Sequence, residues 1–175
     1  MSWLIESVRV APVDPSAVWR LYADPSTWPD WGHNAKWARA EGGLVEGGTV
    51  DVKAGYGKVY SCRIRRLVAG RALVLEARPP LLKVIQTYEV DPTPDGAHIR
   101  HAIEISGPLA GPMWLLRANR VYQGWLDKEV TKLIAMASDE PRSGDRGQPP
   151  AETPVPVAET PSPIGHETPV EWSGQ

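Results

Sequence analysis

Four polar residues interrupt rows of apolar residues in the strand-like segments of this sequence. His101 stands among isoleucines at every second position, Gln86 and Tyr88 share a second alternating row, and Tyr60 belongs to a third. Alternate side chains of a strand point to the same face, so we expect all four to face the interior. A buried polar group without a partner costs about 1–3 kcal/mol, so each must bond to a neighbour, a water molecule or a ligand.

The chemistry that these residue types favour is proton transfer. His101 is the main candidate for a general acid or base, because the unperturbed pKa of imidazole, about 6.5, lies near neutral pH. Tyr88 is the second catalytic candidate, since a phenol can donate to a carbonyl or developing enolate oxygen. Tyr60 offers the same group, and Gln86 could orient the substrate oxygen. The alternative interpretation is that these groups bond to one another or to water and only fill the interior.

Further substrate-binding candidates lie on predicted helical segments. Trp31 ends a short helical turn, and Trp114 follows Met113 on a long one. We expect the two tryptophans to contact a ligand. Arg117, one turn beyond Met113, could hold a carboxylate or the phosphopantetheine group of an acyl carrier protein, although a solvated charge is the more common role of a helical arginine.

The composition excludes several classes of protein. The chain has 175 residues, a formal net charge of −2 and a pI near 6.1, which argues against nucleic-acid binding. No apolar run approaches the ~20 residues of a membrane span. The alternating, acidic N-terminus is unlike a signal peptide. The single cysteine, Cys62, excludes an internal disulfide framework and a cysteine-based zinc site. We expect a soluble cytoplasmic protein without a bound metal.

The composition changes near residue 138. Residues 138–175 contain many prolines, carry a net negative charge and repeat Glu-Thr-Pro three times. Because this segment has few large apolar residues, their burial cannot offset the entropy cost of ordering the segment. We therefore predict a disordered, Pro-rich, acidic tail. A docking segment is the alternative. Residues 1–137 are then the folded domain, which is long enough for one core and a cavity.

The order of elements in residues 1–137 predicts an α+β fold. A strand over 2–11 precedes two short helices within 15–31, and one long helix covers 109–137. Between them, Gly- and Pro-rich turns separate six predicted strands, near 34–41, 49–54, 58–67, 71–77, 82–90 and 97–106. An antiparallel sheet of about seven strands must cover its apolar face, and only the C-terminal helix is long enough. A curved sheet wrapped on that helix leaves room for a ligand.

Two segments carry a resemblance to a known family. Residues 13–19 (VDPSAVW) and 24–31 (DPSTWPDW) resemble the opening of START-like proteins of the SRPBCC superfamily, especially its polyketide cyclase/dehydrase branch. Turns at 47–49, 95–96 and 107–110 lie where that branch has similar turns. The resemblance implies a helix-grip fold with a deep, mainly apolar cavity and no metal or organic cofactor.

These observations predict a protein that binds a small hydrophobic molecule in an internal cavity. The resemblance implies a polyketide cyclase/dehydrase-like protein of secondary metabolism, acting as a lyase or isomerase. Because this superfold hosts many activities, two alternatives stay open. One is a non-catalytic carrier or sensor of a lipid-like ligand, and the other is an interaction module that works through its Pro-rich tail.

Overall fold

The computed structural model describes residues 1–139 of the chain. The strands are β1 (Ser2–Ala11), β2 (Ala35–Arg39), β3 (Thr49–Ala54), β4 (Val59–Val68), β5 (Ala72–Ala77), β6 (Lys83–Thr93) and β7 (Gly96–Ser106). The helices are α1 (Pro15–Ala23), α2 (Trp28–Trp31), α3 (Ala110–Leu115) and α4 (Ala118–Asp139), with a 3-10 turn at Pro25–Thr27. The predicted tail lies, from residue 140 onward, outside the described residues.

All seven strands form one antiparallel sheet in the order β1-β7-β6-β5-β4-β3-β2. Strand β1 pairs with β7 instead of with β2, the next strand along the chain, and it places Trp3 opposite Ile105 and Ala11 opposite Ala97. The sheet curls into a half-barrel around α4. The predicted α+β class and helix-grip architecture are therefore confirmed.

The alternation of residues determines which face each strand buries. On β7 the predicted inward row, which includes Ile99, His101 and Ile105, is fully buried. On β4, Cys62 and Ile64 are buried, while the arginines between and beyond them are exposed. The period of two in the sequence thus separates an apolar inner face from a charged outer face.

Helix α1 begins and ends as its residue types predict. Asp14 caps it by accepting a hydrogen bond from the Ser16 backbone N–H at 2.8 Å, and Pro15 occupies the first helical position. Tyr22, near the end of α1, is fully buried and packs against Trp31 of α2. These two short helices therefore bring aromatic side chains to one end of the sheet.

The C-terminal helical region differs from the prediction. The prediction of a single helix over 109–137 was wrong, because the helical conformation is interrupted between α3 and α4, where Arg117 has a left-handed φ of 59°. Leu116 and Arg117 are both good helix formers, so nothing in the local residue types signals this break. The break leaves Leu115 and Leu116 more than four-fifths exposed.

Helix α4 covers the inner face of the sheet. Its buried residues follow helical spacing, namely Leu126, Val130, Leu133 and Ala137. The helix contacts β1, β7, α1 and α2. Within residues 1–139, no helix combines the length and the apolar content that crossing a bilayer requires.

Candidate functional site

A cavity of about 300 Å³ lies between the inner face of the sheet, α2 and α4. Most of its wall is aromatic or aliphatic. The aromatic lining residues are Trp28, Trp31, Tyr56, Tyr60, Tyr88, Tyr122 and Trp125. The more polar lining residues are Asn34, Cys62, Gln86 and Glu129. A concave, mainly apolar site with few polar groups is typical of small-molecule binding sites.

Aromatic rings enclose His101 beside this cavity. Its ring centroid lies 4.9 Å from that of Tyr88, the opposite residue on β6, and 5.8 Å from that of Trp31. The Tyr22 hydroxyl lies 2.8 Å from His101 Nε2 and forms a buried hydrogen bond. His101 is 0% exposed and is not part of the cavity wall. It faces the interior, as predicted, but Tyr88 is the residue that the ligand space reaches.

Glu129 of α4 connects the His101 region with the cavity. One carboxylate oxygen accepts a hydrogen bond from the His33 backbone N–H at 2.9 Å. The other lies 3.7 Å from His101 Nδ1, which is too long for a hydrogen bond, and Nδ1 has no partner among the described residues. A proton on Nδ1, with Nε2 accepting from Tyr22, is the tautomer that best complements the nearby carboxylate.

The phenols at this end of the cavity stay protonated. Burial raises the pKa of Tyr88 well above 10, and electrostatic interactions with Glu129 first, then Cys62 and Tyr22, add to the shift. Burial and Glu129 likewise raise the pKa of Tyr22. Tyr88 therefore presents a hydroxyl that can donate a hydrogen bond.

Four of the predicted site residues line the cavity, namely Tyr60, Gln86, Tyr88 and Trp31. The side chains of Gln86 and Tyr88 make no hydrogen bond to the residues that the structure describes, so they remain free for a ligand. The Tyr60 hydroxyl lies 2.5 Å from that of Tyr56, and Trp31 donates its indole N–H to Thr27 at 3.2 Å.

The other predicted ligand contacts lie outside the cavity wall. Met113 packs in a separate cluster with Trp3, and Trp114 is 42% exposed with its ring 5.8 Å from that of Trp3. Arg117 is exposed. On a continuous helix Trp114 would lie three turns before Trp125, on the face that lines the cavity, but the break at Arg117 interrupts that spacing.

Sequence reasoning missed three wall residues of α4, namely Tyr122, Trp125 and Glu129. Glu129 is three residues after Leu126 and four before Leu133, so it is an acid within the apolar stripe of the helix. That position was a signal for a functional carboxylate. Trp125 lines the cavity, and its ring stacks on that of His33 at a centroid distance of 5.0 Å.

Cys62 places a thiol in the cavity wall. Burial, with a smaller effect of Asp51, raises the pKa of Cys62 to about 11, so the thiol is protonated at neutral pH and is a weak nucleophile. Over residues 1–139, no three His, Cys, Asp or Glu side chains come together in a way that would hold a metal ion.

A helix-grip fold with an aromatic cavity defines a START-like protein. Residues 2–136 match the family described as polyketide cyclase/dehydrase and lipid transport. The chain belongs to that family, within the START-like SRPBCC superfamily. No curated protein matches the sequence.

Solved structures share the fold at low sequence identity. The di-domain ARO/CYC StfQ of the steffimycin biosynthetic pathway superposes with a TM-score of 0.64 and 14% identity, over 79% of this chain and 51% of that one. A START superfamily protein from Mycobacterium smegmatis gives 0.59 and 14%, over 77% and 97%. Protein MLL2253 from Mesorhizobium loti gives 0.60 and 20%, over 78% and 97%. At these identities the likeness establishes the fold.

Proposed function

We propose that this protein binds a small hydrophobic molecule in the cavity between its sheet and α4. The observation that carries the proposal is the cavity itself, about 300 Å³ walled by aromatic and aliphatic side chains. An open volume of this size is far larger than the voids of a close-packed core. Family membership and the START-like fold support the same role.

The wall suggests a compact ligand that carries at least one ring. Trp31 and Tyr88 present their rings from α2 and β6, and Trp125 presents its ring from α4. Aromatic side chains favour offset or edge-to-face contact with a ligand ring. Burial of apolar area stabilises binding by roughly 25 cal/mol per Å². A two-ring compound is a suitable probe because its rings bury apolar area against these side chains.

Calorimetric titration with 2-methoxynaphthalene tests the proposal. We expect a dissociation constant on the order of 10 µM for the wild type. Ala77→Trp fills the cavity from its wall at the end of β5 and weakens binding at least about tenfold, a loss of 1.4 kcal/mol. Ala69→Trp, in the exposed turn after β4, is the matched control and binds like the wild type. Equal binding by both variants would contradict the proposal.

A second candidate function is polyketide cyclisation or dehydration. Tyr88 favours it, because this protonated phenol lies in the cavity wall without a partner among the described residues, where it could donate to a carbonyl or enolate oxygen. His101 would act as a positioning residue through its ring contact with Tyr88. An acyl carrier protein as the substrate donor, a cytoplasmic location and a role in secondary metabolism belong to this candidate.

The rate of cyclisation of a linear poly-β-keto thioester separates this candidate from simple binding. Removal of an oxyanion donor typically costs about 10²–10³ in rate, so Tyr88→Phe slows product formation by that factor. Tyr56→Phe, which removes a more exposed wall hydroxyl, is the control. Wild-type binding without product formation would leave the protein a carrier or sensor.

A further inference from the structure

We infer that Glu129 makes the cavity selective for apolar molecules that carry a hydroxyl group, and that it excludes carboxylates. The ligand hydroxyl donates to the Glu129 carboxylate while its rings lie among the aromatic side chains of the wall. This inference rests on the proposed binding function and names the chemical class of the ligand.

Glu129 is the one side chain of the described cavity wall that carries a formal charge at neutral pH. The other polar wall groups are phenols, indole N–H groups, two amides and the Cys62 thiol, and no lysine, arginine or histidine is among the lining residues. A carboxylate ligand would therefore be brought close to Glu129 with no cation in the wall to compensate. Like charges in a partly desolvated site repel each other strongly.

The Glu129 carboxylate has acceptor capacity that residues 1–139 do not use. Two carboxylate oxygens offer about four lone-pair positions. Among the described residues, its one hydrogen bond is from the His33 backbone N–H, and the 3.7 Å separation from His101 Nδ1 is beyond hydrogen-bond distance. The side chain is 15% exposed. The unused acceptor positions of this partly buried carboxylate accept a hydrogen bond from a donor on the ligand.

The groups on the sheet side of the cavity complement this preference. Tyr88 and the Gln86 amide, both on β6, offer donors that suit a ligand carbonyl or ether oxygen. Glu129 on α4 offers an acceptor. The cavity therefore suits a compact ring compound with a hydroxyl group directed to the helix and an acceptor directed to the sheet.

Three naphthalenes of nearly equal size test the inference. 2-Naphthol can donate a hydrogen bond, 2-methoxynaphthalene can only accept one, and 2-naphthoate is an anion. Hydrogen bonds to charged groups are among the strong ones, so we expect wild-type protein to bind 2-naphthol at least about tenfold more tightly than 2-methoxynaphthalene. We expect 2-naphthoate to bind at least about tenfold more weakly than 2-methoxynaphthalene.

Glu129→Gln keeps the shape of the side chain and an acceptor for the His33 N–H, but it removes the charge. The 2-naphthol preference then falls to about threefold or less, and 2-naphthoate binds at least about tenfold more tightly than to the wild type. Glu104→Gln makes the same change at an exposed position on the outer face of β7 and leaves all three affinities at their wild-type values. Glu129→Leu, with no acceptor, removes the preference entirely.

The outcomes separate the two proposals. If 2-methoxynaphthalene binds and the Glu129 variants leave the ratios unchanged, the inference fails while the binding function stands. If none of the three compounds binds to the wild type, the binding function itself fails. Should both variants misfold, the wild type alone still decides, because 2-naphthoate binding as tight as that of 2-methoxynaphthalene overturns the inference.

Discussion

The two faces of the sheet differ in the charge state of their buried ionisable groups. On the outer face, Glu76 is 4% exposed, yet Arg65 lies 3.0 Å and Arg78 2.5 Å from its carboxylate oxygens. A hydrogen bond from Arg78 is the main cause that lowers the pKa of Glu76. On the inner face, burial raises the pKa of Tyr88 and of Cys62, which keeps both neutral.

Glu129 is the exception that points to function. It lies on the inner side, where burial disfavours charge, and no lysine or arginine pairs with it among the described residues. Glu76 has three cations within 4 Å and needs nothing from outside the chain. The contrast indicates that an acid whose charge is paired with cations of the protein has a structural role. An acid beside a cavity that lacks such partners is available to a ligand.

The largest expected effect concerns the thiol of Cys62. Because its pKa is about 11, the thiolate fraction rises about tenfold per pH unit, so iodoacetamide labelling accelerates about a hundredfold from pH 7 to pH 9. Mass spectrometry of the alkylated protein measures the rate. Free glutathione is the control, and its rate levels off near the ordinary thiol pKa of about 8.5. A plateau near pH 8.5 for Cys62 would show that burial does not raise the pKa of this thiol, so Cys62 would no longer support the contrast between the two faces.

A smaller effect is expected from Tyr22→Phe, which removes the hydrogen-bond partner of His101 Nε2 inside the aromatic cluster. An unsatisfied buried polar atom costs about 1–3 kcal/mol, and denaturant unfolding measures the loss. Tyr56→Phe removes an exposed hydroxyl and changes the free energy of unfolding by about 0.5 kcal/mol or less. Equal losses in the two variants would mean that burial does not distinguish these hydroxyls.

Acid titration tests the charge pairing of Glu76. Its pKa is lowered in the folded protein, so its contribution to stability is present above the unfolded value of about 4.3 and is lost as the pH falls through the lowered value. The free energy of unfolding therefore falls more between pH 5 and pH 3 in the wild type than in Glu76→Gln. Glu104→Gln, on the same face, follows the wild type. Parallel curves for wild type and Glu76→Gln would contradict the pairing.

The smallest effect is expected from Glu76→Gln on binding. This substitution removes a buried charge on the face that points away from the cavity. The affinity ratio of 2-naphthol to 2-methoxynaphthalene therefore stays within about twofold of the wild-type ratio, as the additivity of distant sites implies. A ratio that collapses as in Glu129→Gln would show that net charge, rather than the position of the carboxylate, controls selectivity.

The sequence was sufficient for the fold and for the orientation of strand side chains. Alternation in 97–105 placed His101 inside, because a period of two leaves one choice of face once the isoleucines are buried. The residues around the C-terminal helix were harder to place. A left-handed Arg117 between two good helix formers has no local signature, so Trp114 was assigned to the wrong surroundings. Glu129 was missed although its position within the apolar stripe of the helix can be read from the sequence.

The indole N–H signals of the tryptophans give the most direct test of ligand binding in the cavity. Trp28, Trp31 and Trp125 line the cavity, whereas Trp3 and Trp114 form a pair outside its wall. In a ¹H–¹⁵N titration with 2-naphthol, assigned by single Trp→Phe variants, we predict saturable shifts of the three cavity indoles and little change at the pair. Saturation at Trp3 and Trp114 alone, or no saturable shift at the cavity indoles, would contradict ligand binding at this site.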